Sequence, residues 1–530
     1  MIMKKIYWIL AFVLFANTSF GQTTYSDIKQ ILINNCASCH RQGGGGPFDI
    51  LDYDQAFAYR YLISHEVNEG YMPPWQADTS YMHFVGEREI SESDKNAIIA
   101  WVTDGGLRGD SSVVVEMPNY PESLLNGIPD LELQMPTFQS NAITADAYNT
   151  IIIPTGLTED RIVRAVEIVP ENPELTHHVI VNADEGGAVE TDLSGTSFNL
   201  KGEISIGTYA PGTNPIVYPN SSEIKLGVRL PAGSDLVLQV HTPAYFSGGL
   251  TEGIDVDLKV KIFFYPRDEE NIRTVYNVVP LQYWEEDFVI PAGEKRSFST
   301  TFPVSLLSSS QALSIYSAFP HSHQICTDII NYAYKGTDTI DLIKIDGWDF
   351  EHQENYFYQK MVKVPSNYTL KSVHDFDNTV GNHHNPFSPP QTISVGFDSN
   401  DEMIFDGFQI LLYEEGDELI NIDSILSADP LLNYDSASVF PTGLKSFQIK
   451  RAMVYPNPVL NNATVYFNNI DGNMAGTTIR ISALDGRNIE VPFQTIEGGF
   501  ELETTSLEKG TYLFQIMKDG RLYSMGRFNK

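Results

Sequence analysis

The spacing of apolar positions changes several times along the chain. At the start, Lys4 and Lys5 precede an uninterrupted apolar run from Ile6 to Phe15, and the small residues Ser19 and Gly21 follow. That order predicts an export signal over 1–21, cleaved before Gln22. The run is shorter than the roughly 20 apolar residues a bilayer span needs, and no later stretch offers one. Next, Ile28, Ile31 and Leu32 recur at helical spacing. A second helix is expected after Ser91-Glu-Ser-Asp94, which resembles a capping box. Its inner face carries Ile98, Trp101 and Val102, and Gly105-Gly106 closes it.

Beyond residue 125 the helical period disappears. Short β-branched runs replace it, broken by Gly, Pro, Asn and Asp: Asn149–Pro154, Leu236–Val240 and Lys259–Phe264 are examples. Many short strands with such turns predict antiparallel sandwiches. Residues 111–126 and 431–450 read as linkers. The expected organisation is a signal at 1–21, a small helical domain at 22–110, two antiparallel β-sandwich domains at 127–272 and 273–430, and a small C-terminal β module at 451–530. The fold class is multidomain and mainly β. A length of 530 residues is ample for this many cores.

Charge narrows the partners. The formal net charge of −34 argues against binding nucleic acid or anionic lipid. Three cysteines, two of them three residues apart, leave no internal disulfide framework.

Those two cysteines carry the first chemistry. Cys36-Ala-Ser-Cys39-His40 is the attachment pattern of a c-type haem. Cys36 and Cys39 would form thioethers and His40 would be the proximal ligand. Met72, in the Pro-rich run Gly70-Tyr-Met-Pro-Pro-Trp75, is the favoured sixth ligand. Met82, His65 and an open position are the alternatives. A zinc half-site lacks a partner Cys pair. The layout of a helix leading into the motif and another closing the segment resembles small cytochrome c domains fused to secreted bacterial enzymes.

Histidines carry the second chemistry. His321 and His323 alternate, so a strand would point both rings to one face. His177 and His178 are neighbours and would diverge on a strand, so joint use needs a bulge or strand end. His241 would complete a three-histidine site with them. Imidazole-rich sites suit copper or zinc. Met403, in a Ser-Asn-Asp-Glu-Met run, would add a soft thioether to His321 and His323, which favours Cu(I). His383-His384 sits in a loop pattern and reads as a decoy. Cys326 reads as an inert buried thiol, with a blue-copper-like role the alternative.

Taken in order, His-His, VLQVH, His-x-His and DEM resemble the copper type II ascorbate-dependent monooxygenases, the family of peptidylglycine α-hydroxylating monooxygenase and dopamine β-hydroxylase. The resemblance covers about 127–425. It implies two jelly-roll domains with one copper each. His177, His178 and His241 would hold the electron-supplying ion. His321, His323 and Met403 would hold the ion that binds O2 and would form the catalytic site. The implied activity is hydroxylation of a C–H bond in a small-molecule substrate, with an ascorbate-like reductant or redox protein as one-electron donor and the haem as a tethered relay. The sequence departs from the peptide-amidating members at Phe319, Phe405 and Gly407, where they carry Arg, Asn and Tyr for a substrate carboxylate. An apolar or neutral substrate is therefore expected. The alternative reading is a non-catalytic haem and copper electron-transfer or copper-binding protein at the cell surface.

At the C-terminus, Val454-Tyr-Pro-Asn-Pro458, an Asp-Gly turn signal at Asp485-Gly486 and Lys509-Gly-Thr-Tyr512 resemble type A sorting domains of type IX secretion substrates. That resemblance implies the type IX machinery as partner and a secreted or outer-surface location.

Overall fold

A computed structural model describes residues 22–113, 115, 123–142, 146–187, 189–197, 204–243, 254–350 and 352–432, together with the strand segments between 452 and 530. The expected signal at 1–21, most of the 111–126 linker, nearly all of 431–450, Pro456–Pro458 and the Asp485-Gly486 turn lie outside the described residues. The chain is mainly β, with 13% of it helical and 41% in strands.

The N-terminal unit contains three helices. Tyr25–Asn35 buries Ile28, Leu32 and Ile33, and the Thr24 amide donates to Asp27 Oδ2 at 2.8 Å. Glu92–Thr103 buries Ile98, Trp101 and Val102, and Ser91 Oγ accepts from the Asp94 amide. Between them runs Tyr53–Glu69, a helix the apolar spacing did not announce. Asp52 caps its start, and Gly70 ends it at φ 83°.

The next unit is built from two sheets. One orders strands Leu131–Gln134, Leu258–Phe264, Arg161–Pro170, Leu226–Leu230 and Arg273–Thr274, with Ile216–Val217 pairing to Arg161–Pro170. The other orders Asp192–Gly195, Ala147–Pro154, Asp235–Thr242, His178–Asp184 and Ile204–Tyr209. Ile151, Ile153, Val179, Val181, Leu236, Leu238 and Val240 meet Val163, Ala165, Val260 and Ile262 in a shared core. Strand side chains alternate between faces. With Val179, Leu238 and Val240 in the core, His178 and His241 must point to the opposite face, yet both are buried there.

A second pair of sheets follows. One orders Tyr276–Tyr283, Ile404–Leu412, Leu313–Phe319 and Tyr356–Val364; the other orders Lys295–Pro303, Thr369–Asp377, Cys326–Lys335 and Asp338–Asp346. Ile315, Ile329, Ala333, Ile343, Phe376 and Phe408 form its core. The two units are tied by Arg164 to Asp429 at 2.8 Å and Arg273 to Asp417 at 2.6 Å.

The N-terminal unit is tied in as well. Its segment after the second helix reaches one edge strand in each sheet of the second two-sheet unit. Ala77 bridges Ile345 and Phe84 bridges Tyr358. Phe84 is fully buried in that core, with Trp75 and Met82 packed against it. The C-terminal residues form two four-stranded sheets around Val465, Phe500, Leu502, Phe514 and Ile516.

Candidate metal centres

His177, His178 and His241 come together, and theirs is a group of ligand atoms all within 4.8 Å of one another. Register explains how. His178 and Tyr148 stand directly opposite His241 on the two flanking strands. Residues opposite each other across an antiparallel pair share a face. The Tyr148 and His241 rings therefore stack, 4.3 Å apart and 8° from parallel. His177 sits just before its strand, where its amide donates to the His241 carbonyl at 2.9 Å. The adjacent pair escapes strand alternation because the strand begins between its two members, as the sequence required.

Ring nitrogens define the chemistry of this cluster. The His241 Nδ1 lies 3.2 Å from His177 Nδ1 and 3.1 Å from His178 Nδ1. On its other side, His241 Nε2 meets Asp146 Oδ2 at 2.9 Å. A carboxylate only accepts, so the proton sits on Nε2 and leaves the Nδ1 lone pair facing the other two rings. Three imidazole nitrogens at this spacing can share a proton in N–H···N bonds or, with the protons displaced, surround a cation. Burial, reinforced by His241, lowers the pKa of His177 to about 3. The same causes push His178 well below its ordinary value, with smaller contributions from His177, His321 and His352. Neutral imidazoles are the form that binds metal.

His321 and His323 lie past the end of Leu313–Phe319, not within a strand as the alternation suggested. Two buried carboxylates hold this extended segment instead. Asp406 Oδ1 accepts from the His321 amide at 3.0 Å. Glu402 accepts from the His323 amide at 2.9 Å and the Ile325 amide at 2.7 Å. The Phe405 amide donates back to the His321 carbonyl, and Ser322 Oγ donates to the Met403 carbonyl at 2.8 Å. These bonds stitch the Met403 segment against the two histidines, and Met403 is 4% exposed.

The two rings have centroids 5.4 Å apart. His321 Nδ1 is 2.6 Å from Gln353 Oε1, while Gln353 Nε2 donates to the Phe350 carbonyl. His323 Nδ1 is 3.1 Å from the Asp401 carbonyl. Both partners accept, so both Nδ1 atoms carry protons and both Nε2 atoms are bare. His241 thus presents Nδ1 toward His177 and His178, whereas His321 and His323 present Nε2. Burial lowers His321 to about 4 and His323 to about 3. Phe319 and Phe405 flank His321 with ring centroids 6.2 and 6.3 Å away, and Trp284 extends the apolar wall from Phe405. Gly407 stands opposite Phe319.

In the helical unit, Cys36 and Cys39 are free thiols. Burial, and then Cys39, pushes Cys36 up to about 12. The His40 ring packs on Phe48 at 4.6 Å, which stacks on Tyr59 at 4.4 Å. A side chain at Gly46 would lie 2.7 Å from His40 Nδ1, so only glycine fits beside that ring. Met72 is 38% exposed, and the large apolar side chains Tyr59, Leu62 and Tyr71 are exposed in the same unit. Of the rivals, Met82 packs against the second two-sheet core and His65 is exposed. His383 and His384 are exposed in their loop. Cys326 is buried, its Sγ 3.9 Å from His374 Nδ1, and burial raises its thiol well above the ordinary value.

The cysteine motif abuts the first two-sheet unit. A Cβ at Gly45 would meet Pro173 and Pro211, and one at Gly212 would lie 3.0 Å from Cys39 Sγ. Pro173 precedes His177 by four residues. Tyr209, just before this loop, stands opposite Val179, the neighbour of His178.

Sequence reasoning missed Asp146, Tyr148, Gln353, Glu402 and Asp406 as parts of these sites. All but Glu402, the middle residue of the DEM run, lie outside the motifs, and each meets its histidine segment across a long stretch of chain. Glu402 was quoted only as context for Met403.

Residues 453–526 match the family model described as a secretion system C-terminal sorting domain. The chain is thereby a type IX secretion substrate, delivered to the cell surface or outside it. No helix among the described residues is long and apolar enough to cross a membrane. No curated protein matches the chain. Among solved structures, it is similar at 9% identity to the VP2 subviral particle of infectious bursal disease virus, covering 56% of this chain and 75% of that one with a TM-score of 0.15. It is similar at 9% to the BSP domain of a biofilm associated protein, covering 78% and 84% with a TM-score of 0.14. Dimeric latent PorU from Porphyromonas gingivalis is similar at 9%, covering 74% and 32% with a TM-score of 0.13. TM-scores this low carry no argument about fold or function.

Proposed function

We propose that this secreted chain is a copper monooxygenase of the type II, ascorbate-dependent kind, with jelly-roll catalytic domains and a fused c-type cytochrome. The observation that carries the reading is the opposite use of ring nitrogens in the two histidine sets. His177 and His178 bring their Nδ1 atoms to 3.2 and 3.1 Å from His241 Nδ1, while Asp146 holds the far nitrogen of His241. The Nδ1 atoms of His321 and His323 are engaged by Gln353 and Asp401, which leaves two Nε2 atoms and the Met403 thioether. An all-nitrogen set and a nitrogen–sulfur set suit two copper ions with different tasks.

Copper, when bound, supplies one stored electron per ion and a place for O2. His177, His178 and His241 would hold the first ion and His321, His323 and Met403 the second. Asp146, Gln353 and the Asp401 carbonyl would fix the ligating tautomers of His241, His321 and His323. Haem c, when attached through Cys36 and Cys39, would supply one-electron transfer, and His40 and Met72 are the residues that would hold its iron. Tyr59, Leu62, Tyr71 and Met72 are exposed large apolar side chains in this unit, a surface that a flat apolar group would cover. Contact of Cys39 with Gly212 supports electron entry at the first histidine set, from the haem or from an ascorbate-like donor through it.

Phe319, Phe405 and Trp284 form an uncharged wall beside His321, which supports an apolar or neutral substrate. The test is O2 uptake by copper- and haem-loaded protein given reductant and a panel of small neutral substrates, with mass spectrometry of products. A product gaining one oxygen atom, lost on Met403→Ala, is expected. Metal binding without any O2-dependent product would instead indicate a non-catalytic electron carrier.

A further inference from the structure

The segment from Trp75 to Arg88 leaves the helical unit and runs along the second two-sheet unit to a short run at 349–350 and 352–354. Gln76 grips that run three times. Its Nε2 donates to the Asp349 carbonyl at 2.9 Å and to the His352 carbonyl, and its Oε1 accepts from the Asp349 amide at 3.1 Å. Arg88 grips it again. Its Nη2 meets Glu354 Oε1 at 2.5 Å and His352 Nε2 at 3.2 Å. The guanidinium is itself held by the Pro74 carbonyl and lies over the Trp75 ring at 5.0 Å. His352, Gln353 and Glu354 are all buried.

The middle residue of that trio is the one that faces a candidate ligand. Gln353 presents Oε1 to His321 Nδ1 at 2.6 Å and is fixed in that sense by its bond to Phe350. An acceptor at Nδ1 forces the Nε2-bare tautomer and sets the ring angle.

We infer that Gln353 is a positioning residue for the second metal centre and that the helical unit, through Gln76 and Arg88, holds it in place. The electron-input module is then also a structural part of the centre that would bind O2. This rests on the two-copper reading above.

The experiment uses full-length, haem-loaded protein. Cu(I) affinity at each site is measured by competition with a chromophoric chelator, and each Cu(II) site is followed by its EPR signature. Gln353→Leu is expected to weaken one of the two ions about 10–100-fold, typical of losing an outer partner of a ligand, and to change only that ion's EPR signal. Gln76→Leu and Arg88→Met are expected to weaken the same ion by a smaller factor, with Arg88→Lys recovering part of it. Gln353→Glu keeps an acceptor toward His321 and, protonated, a donor toward Phe350, so it is expected to bind like the parent. Unchanged binding in Gln353→Leu, or equal loss in Gln353→Glu, would overturn the positioning role. Parent protein that takes up fewer than two copper ions would instead overturn the two-copper reading.

Discussion

His241 shows how much one residue depends on its register. It lies between Tyr148 and His178 on a shared face, with its Nε2 tied to Asp146. Asp146 sits outside every motif, yet it decides which nitrogen of His241 is bare. Asp146→Ala is expected to weaken the first copper about 10–100-fold while the Met403-containing site keeps its affinity; chelator competition reads both. The grouping of His177 and His178 with His241, and the pairing of His321 with His323, were legible because residue type and order are distinctive. Their tautomers were not, because the groups that set them are neighbours only in space: Gln353 is 32 residues from His321, and Asp146 is 95 from His241.

At the scale of elements, the helices framing the cysteine motif were legible because Ile28, Leu32, Ile98 and Trp101 keep a helical stripe. The helix Tyr53–Glu69 was not. Its large side chains Tyr59, Tyr61 and Leu62 are exposed while Ala56, Ile63 and Val67 are buried, so apolar residues fall on several faces and no single stripe stands out. The extension at 75–88 was equally illegible, since its apolar residues fill a core formed some 200 residues later. Phe84 is fully buried there. Phe84→Ala is expected to cost about 3–5 kcal/mol in the second two-sheet unit, seen as a lower denaturant midpoint for the transition assigned to it. Acid should loosen the same extension late. Burial pushes the Glu354 carboxyl up, but the His352 hydrogen bond and the Arg88 charge outweigh it and hold the group below its ordinary value. A depressed carboxyl contributes stability in full above the ordinary value and loses it as pH falls through the folded one. Trp75 fluorescence should therefore stay native through the ordinary carboxylate range and change below it, and Glu354→Gln should abolish that low-pH step.

For the whole molecule, the pieces that sequence reading treated as separate beads share surfaces. The cysteine motif touches the loop before Ile216–Val217, and the following segment closes two edge strands of the other unit. The change from helical to strand spacing was legible along the chain, whereas docking was not, because glycines such as Gly45 and Gly212 carry no hydrophobic signal. Gly212→Ala would set a methyl group against Cys39 Sγ. It is expected to slow haem reoxidation by the copper-loaded protein in stopped flow and to leave haem attachment, judged by mass, intact. The central claim is that two copper ions bind in unlike coordination, one by nitrogen alone and one by nitrogen and sulfur. X-ray absorption of the fully loaded Cu(I) protein tests it most directly. A sulfur shell averaging about half an atom per copper, abolished by Met403→Ala and retained or raised toward one per copper in His241→Ala, is the result this account requires; two coppers with no sulfur contribution, or a sulfur shell that survives Met403→Ala, would contradict it.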